Sequence, residues 1–183
     1  MGQTNKLLLP WEISSIIKNS VETCIQSDTH EVIVVLGHQS AEIRNELNPL
    51  EVCFVENPSF ESGMLSSIQA AIPEVSSKSA GWMVFLGDQP KIPPNLVNHL
   101  IEQFQKHHEA EKDLIVLPVC AGIRRNPVIF SRSFNQRMIA HQGEGGKAMI
   151  DAHQDSLLEV EVEDVTLFED IDTEEDYDLL KPN

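Results

Sequence analysis

The chain has 183 residues, with 13 Lys+Arg against 29 Asp+Glu and a formal net charge of −16. At roughly 100–200 residues per domain, this length points to one domain able to bury its own core, and 41 % hydrophobic with 23 % charged residues excludes a disordered chain. The acidic balance excludes a nucleic-acid or anionic-membrane surface, because phosphates would be repelled rather than neutralised.

In chain order, Lys6 precedes an apolar run, Leu7-Leu8-Leu9-Pro10-Trp11, and Ile13 to Ser27 has helical spacing. Glu31 to Gly37 (EVIVVLG) is a near-continuous β-branched run of strand length closed by Gly. Such runs suit strands covered on both faces by helices. Ala41 to Leu47 reads as helix, Val52 to Glu56 as strand, Gly63 to Val75 as helix, and Trp82 to Gly87 (WMVFLG) as the most apolar strand. Helix Asn95 to Glu109, strands Asp113 to Pro118 and Pro127 to Phe130, and helices Phe134 to His141 and Lys147 to Asp155 follow. The chain closes with strands Leu158 to Val162 and Val165 to Glu169, then a helix from Thr173 to Leu180. The alternation predicts an α/β fold with a mostly parallel sheet. The last two strands are the candidate antiparallel members. No repeat or linker interrupts it, so one domain spanning 1–183 is expected.

Cys24, Cys53 and Cys120 are odd in number and outside any ligand or disulfide spacing. They read as buried free thiols of a reducing compartment. No apolar run reaches the ~18 residues of a membrane span and the start has no signal-peptide core, so a cytoplasmic protein is expected.

Sheets of this class bind ligands at the carboxyl ends of their strands. Leu86-Gly87-Asp88-Gln89-Pro90 sits at such an end. Asp88 there is either a Mg²⁺ ligand or the cap of a turn or helix. In Asp170-Ile171-Asp172-Thr173, the two aspartates of an extended segment point the same way. Asp172 could be a second anchor for the same cation, or Asp172 or Thr173 could cap the last helix, with Asp176 completing a capping box. Lys6 could meet phosphate or stay solvated.

Six segments in order carry a resemblance: Lys6 to Trp11 (KLLLPW), Asn57 with Gly63 to Ile68 (GMLSSI), Gly87 to Pro90 (GDQP), Gly122 to Pro127, Gly143 to Lys147, and Asp170 to Thr173 (DIDT). Together they resemble the MobA-like nucleotidyltransferase family, and within it the molybdenum cofactor cytidylyltransferase branch. The resemblance implies a GT-A-like, Rossmann-related three-layer αβα fold. It also implies transfer of a nucleotidyl group from an NTP to a phosphorylated acceptor, with Mg²⁺ and release of pyrophosphate. In that branch the donor is CTP rather than GTP and the acceptor is molybdopterin carrying molybdenum. A molybdoenzyme client and a homodimer are further partners to be considered.

On this resemblance Lys6 contacts the nucleotide phosphates, Asp88 binds Mg²⁺, and Asn57, Gly63 and Ser67 line the base and ribose. Asp172 matches the DIDT aspartate, a second metal ligand. Arg124, Asn126, Gly145 and Lys147 lie on the acceptor side. Residues of about 1–110 would form the nucleotide-binding part and about 111–183 the acceptor part.

The family pattern opens with a strand and a Gly-rich loop ending in an arginine, and this chain begins at the Met-Gly that follows them. The central first strand of the family sheet is therefore absent from it. Arg125-Asn126-Pro127 replaces the usual glycine-histidine-proline, and Glu144 stands where Asp is common. A shortened version of an active enzyme is the favoured reading. Its rivals are a catalytically inactive cofactor-binding accessory protein and a nucleotidyltransferase for another phosphorylated acceptor.

Overall fold

Local signals near the start resolve into turns before the first helix begins. In the computed structural model, which describes residues 5–109, 112–143, 145–171 and 173–181, Lys6–Leu8 form one 3-10 turn. It is capped by the Asn5 carboxamide oxygen, which accepts from the Leu7 N–H at 3.1 Å. A short hairpin follows, β1 (Pro10–Trp11) against β2 (Ser14–Ser15). The helix expected from Ile13 starts at Ile16 instead. Glu12 takes a left-handed φ of 51° in the hairpin turn, and the Ser15 hydroxyl accepts from the Lys18 N–H to cap α1 (Ile16–Gln26). Then β3 (Ile33–Leu36), α2 (Ser40–Leu47) and β4 (Cys53–Glu56) make a parallel β-α-β unit, with Ile33 opposite Cys53. Ile17, Val21, Val34, Leu36, Ile43 and Leu47 bury its apolar faces together.

The remainder builds the larger sheet. α3 (Met64–Ala71) tightens into a 3-10 turn over Ile72–Glu74, where Pro73 cannot continue the α-helix. β5 (Gly81–Val84), α4 (Pro94–His107), β6 (Ile115–Cys120), β7 (Ile123–Arg124) and β8 (Val128–Ser131) follow, then α5 (Asn135–Ala140), α6 (Gly145–Ala152), β9 (Leu157–Glu161) and α7 (Glu174–Leu180). β8 lies antiparallel between β5 and β6, β9 pairs parallel with β6, and β7 folds back on the end of β6. Side chains along β6 alternate between two clusters. Ile115, Leu117 and Val119 join Leu65, Ile68, Phe134, Met138 and Met149 of α3, the turn into α5, α5 and α6. Val116 and Cys120 join Leu96, Val97, Leu100 and Phe104 of α4. Two helical layers therefore sandwich the sheet, the three-layer α/β architecture that the apolar runs predict.

Several expectations need correction. The antiparallel members of the larger sheet are β7 and β8, not Leu158–Val162, because the tight turn after β6 can only reverse the chain and β8 follows β7 in the same direction. Val165–Glu169 is not a strand. The Asp164 carboxylate accepts from both the N–H and the hydroxyl of Thr166, and the segment coils into a 3-10 turn over Val165–Phe168. Among the described residues the run Trp82–Gly87 pairs as far as Val84, opposite Val128, and Pro127 before it offers no N–H to extend that ladder. Cys53 is exposed on β4 and Cys24 only partly buried, leaving Cys120 as the buried thiol. Among the described residues β3 pairs only with β4 and β5 only with β8, so the strands form two separate sheets besides the hairpin. No helix among the described residues is long and apolar enough to cross a membrane.

Candidate active site

Past Val84 the chain leaves the sheet and makes two consecutive turns, with the Gln89 N–H donating to the Leu86 carbonyl and the Ile92 N–H to that of Gln89. α1 grips this loop from one side. The Ser20 hydroxyl lies 3.1 Å from the Gly87 carbonyl, and the Asn19 carboxamide donates to the Pro90 carbonyl at 2.7 Å. A Cβ on Gly87 would stand 2.6 Å from Ile17 Cδ1, the movable end of that side chain, so α1 packs closely on the loop here.

The loop presents Asp88 to the N-terminal turn. Lys6 Nζ donates to Asp88 Oδ2 at 2.8 Å across 82 residues of sequence, with side chains 28 % and 25 % exposed. From the opposite side the loop is latched to the segment before α7. Gln89, buried, donates through Nε2 to Asp170 Oδ1 at 2.6 Å, and Lys91 Nζ meets Glu169 Oε2 at 2.6 Å. Lys6, the GDQP loop and the start of the DIDT segment, far apart in sequence, thus meet in one place. Asp172 itself lies outside the described residues. Thr173 caps α7, with its hydroxyl accepting from the Asp176 N–H and the Asp176 carboxylate accepting from the Thr173 N–H, the capping box its spacing predicts.

A second cluster stands at the end of β4. Asn57 is buried; its Nδ2 donates to the hydroxyls of Ser66 and Ser67 at 2.9 and 3.0 Å, and its Oδ1 accepts from the Ser59 N–H. Gly63 precedes α3 with φ 94° and ψ −178°, a backbone that a side chain would strain. The Asn57 side chain therefore holds the loop over residues 57–67 in shape, with Phe60 seated over Gly37 and next to His38. Among the described residues no hydrogen bond joins this cluster to Lys6 or Asp88.

The remaining candidates lie elsewhere. Arg124 on β7 gives Nε to Glu159 and Nη2 to Gln154, both at 2.7 Å, with Asp151 3.7 Å away. Its charge is spent on tying β7 to β9 and the end of α6. Asn126 is half-buried in the turn before β8, and Gly145 and exposed Lys147 lie in the first turn of α6. The contacts made by Ser20, Asn19, Gln89 and Asp170 escaped sequence reasoning. The signals were Gln89 in the GDQP spelling and Asp170 in DIDT, whereas a buried serine on a helix face carries no local mark.

Residues 1–159 match the MobA-like NTP transferase domain family. The chain belongs to this family. It is 27 % identical over 182 residues, 97 % of this chain and 86 % of the relative, to the molybdenum cofactor cytidylyltransferase of Escherichia coli K12. The crystal structure of Rv0371c from Mycobacterium tuberculosis H37Rv aligns with a TM-score of 0.82 at 24 % identity, covering 98 % of this chain and 89 % of that one. A complex of Rv0371c with manganese aligns at 0.80 and 23 % identity, covering 98 % and 92 %. These structures share the fold, and the family is one of nucleotidyltransferases.

A divalent cation fits the loop chemically. Asp88 is a hard oxygen donor, three-quarters buried at a strand end, and it already holds a cation in the Lys6 ammonium. Among the described residues no three His, Cys, Asp or Glu side chains converge as a metal cage. Mg²⁺ favours one or two carboxylates with substrate phosphates completing its shell.

Proposed function

We propose that the protein transfers a cytidylyl group from CTP to the terminal phosphate of a molybdopterin-type cofactor and releases pyrophosphate. The observation that carries this reading is the Lys6–Asp88 pair on the strand-end loop, 2.8 Å apart. Similarity to a molybdenum cofactor cytidylyltransferase over 97 % of this chain and 86 % of that one supports the choice of CTP over GTP and of the acceptor. Mg²⁺ held by Asp88 would neutralise phosphate oxygens and polarise the α-phosphate.

The chain's own residues supply position and charge. Lys6 directs its ammonium at the triphosphate, and the loop from Gly87 to Pro90, pinned by Ser20, Asn19 and Asp170, keeps Asp88 still while charge shifts. The loop shaped by Asn57, Gly63 and Ser67 forms a wall for base and ribose. Asn126, Gly145 and Lys147 face the acceptor, and Arg124 keeps that side ordered through Glu159. The nucleotide would occupy the part of about 1–110 and the acceptor that of about 111–183. An acceptor phosphate oxygen attacks the α-phosphorus in line, the bond to the β-phosphate oxygen breaks, and pyrophosphate departs. The attacking phosphate is ionised at neutral pH and needs no general base. The reaction belongs in the cytoplasm, next to a molybdoenzyme client.

Pyrophosphate release with molybdenum-loaded molybdopterin tests this directly. CTP with Mg²⁺ should support turnover well above GTP, and Asp88→Asn should lower it by at least about 100-fold. Equal use of both nucleotides would overturn the base assignment, and an active Asp88→Asn variant the site.

A further inference from the structure

We propose that Lys6 is the resident counter-ion of Asp88 and that a divalent cation must displace it, so that metal and nucleotide bind with positive coupling. This rests on the reading that Asp88 is the metal-binding carboxylate. The two partners differ in how far they can move. Asp88 sits on a loop tied at Gly87, Gln89 and Pro90 to Ser20, Asp170 and Asn19, which leaves its carboxylate little room to withdraw. Lys6 carries its charge on a four-carbon stem with rotatable bonds. Both side chains are about three-quarters buried, where solvent screens charges less than at an open surface.

Two cations on one carboxylate repel each other. At ~4 Å a divalent ion and an ammonium oppose each other even through water, and more strongly in this partly buried setting. The metal arriving alone therefore meets an occupied ligand. When it arrives with a triphosphate, the Lys6 ammonium gains phosphate oxygens as it gives up Asp88, and the exchange costs little. Each ligand then raises the affinity for the other by the same factor. In a chain of net charge −16, such an exchange also keeps the carboxylate from collecting stray divalent ions.

Titration with Mn²⁺ alone, read by the electron paramagnetic resonance signal of the free ion, tests this without turnover. Lys6→Met should bind Mn²⁺ about fivefold tighter than the unsubstituted protein, and CTP should tighten its Mn²⁺ binding less. Lys6→Gln serves the same purpose should the Met variant fail to fold, and Lys6→Arg, which keeps the charge, should resemble the original. Asp88→Asn should bind Mn²⁺ most weakly. Equal or weaker Mn²⁺ binding by Lys6→Met and Lys6→Gln, with Asp88→Asn still the weakest, would overturn the exchange and leave Asp88 as the metal ligand. Unchanged binding by Asp88→Asn would instead remove the metal from Asp88.

Discussion

Single residues in this protein differ sharply in what their surroundings permit. Although part of the Cys24 residue surface is exposed, desolvation of its thiol pushes it up to about 12, so it stays protonated at neutral pH, whereas Cys53 is exposed on β4. Iodoacetamide at pH 8 should modify Cys53 within minutes and leave Cys24 intact, as peptide mass mapping would show. Asp113 behaves in the opposite sense. Two hydrogen bonds from the Arg137 guanidinium hold its carboxyl below the usual carboxylate range, against a smaller opposing effect of burial. A lowered folded-state pKa means that the unfolded chain binds the proton more readily. The stabilisation is then complete above pH ~4 and lost as pH falls through the folded value. Asp113→Asn should therefore narrow the difference in melting temperature between pH 7 and pH 3; an unchanged difference would show that the pair contributes nothing.

Among the elements, the GDQP loop depends on neighbours from both ends of the chain. α1 holds it through Ser20 and Asn19, and the segment before α7 holds it through Asp170 and Glu169. Gln89 is the buried member of that latch. Gln89→Leu leaves Asp170 without this donor, at a cost of about 1–3 kcal/mol. It should also raise amide hydrogen exchange over residues 168–171 more than in α4. Uniform exchange changes across the molecule would show that Gln89 acts on global stability and not on this junction.

At the scale of the molecule, the unusual feature is a sheet in two parts. Among the described residues β5, with half-buried Trp82, Met83 and Val84, pairs only with β8, and β3 only with β4. Strand edges with unpaired N–H and C=O groups next to apolar side chains are templates for further pairing. The 183-residue chain should therefore self-associate, detectable as a concentration-dependent mass in light scattering. A monodisperse monomer even in concentrated solution would show these edges to be covered in another way.

The α/β class was legible from the sequence because helix and strand periodicities are set by near neighbours. The strand expected over Asp113–Pro118 is β6, and it is buried along its whole length. The Thr173–Asp176 capping box was equally local. Direction and partnership were not local. Tertiary packing decided that β9 runs parallel to β6, and that Arg124 would be spent on Glu159 and Gln154. A short Asp164–Thr166 hydrogen bond, invisible to an alternation count, coiled the predicted strand at Val165. The site divides in the same way. The motif spelling singled out Lys6 and Asp88 one by one, but no spacing along the chain encodes a 2.8 Å contact between residues 82 positions apart. That contact exists because α1 packs on Gly87 and brings the N-terminal turn over the strand end, which only the assembled core can do.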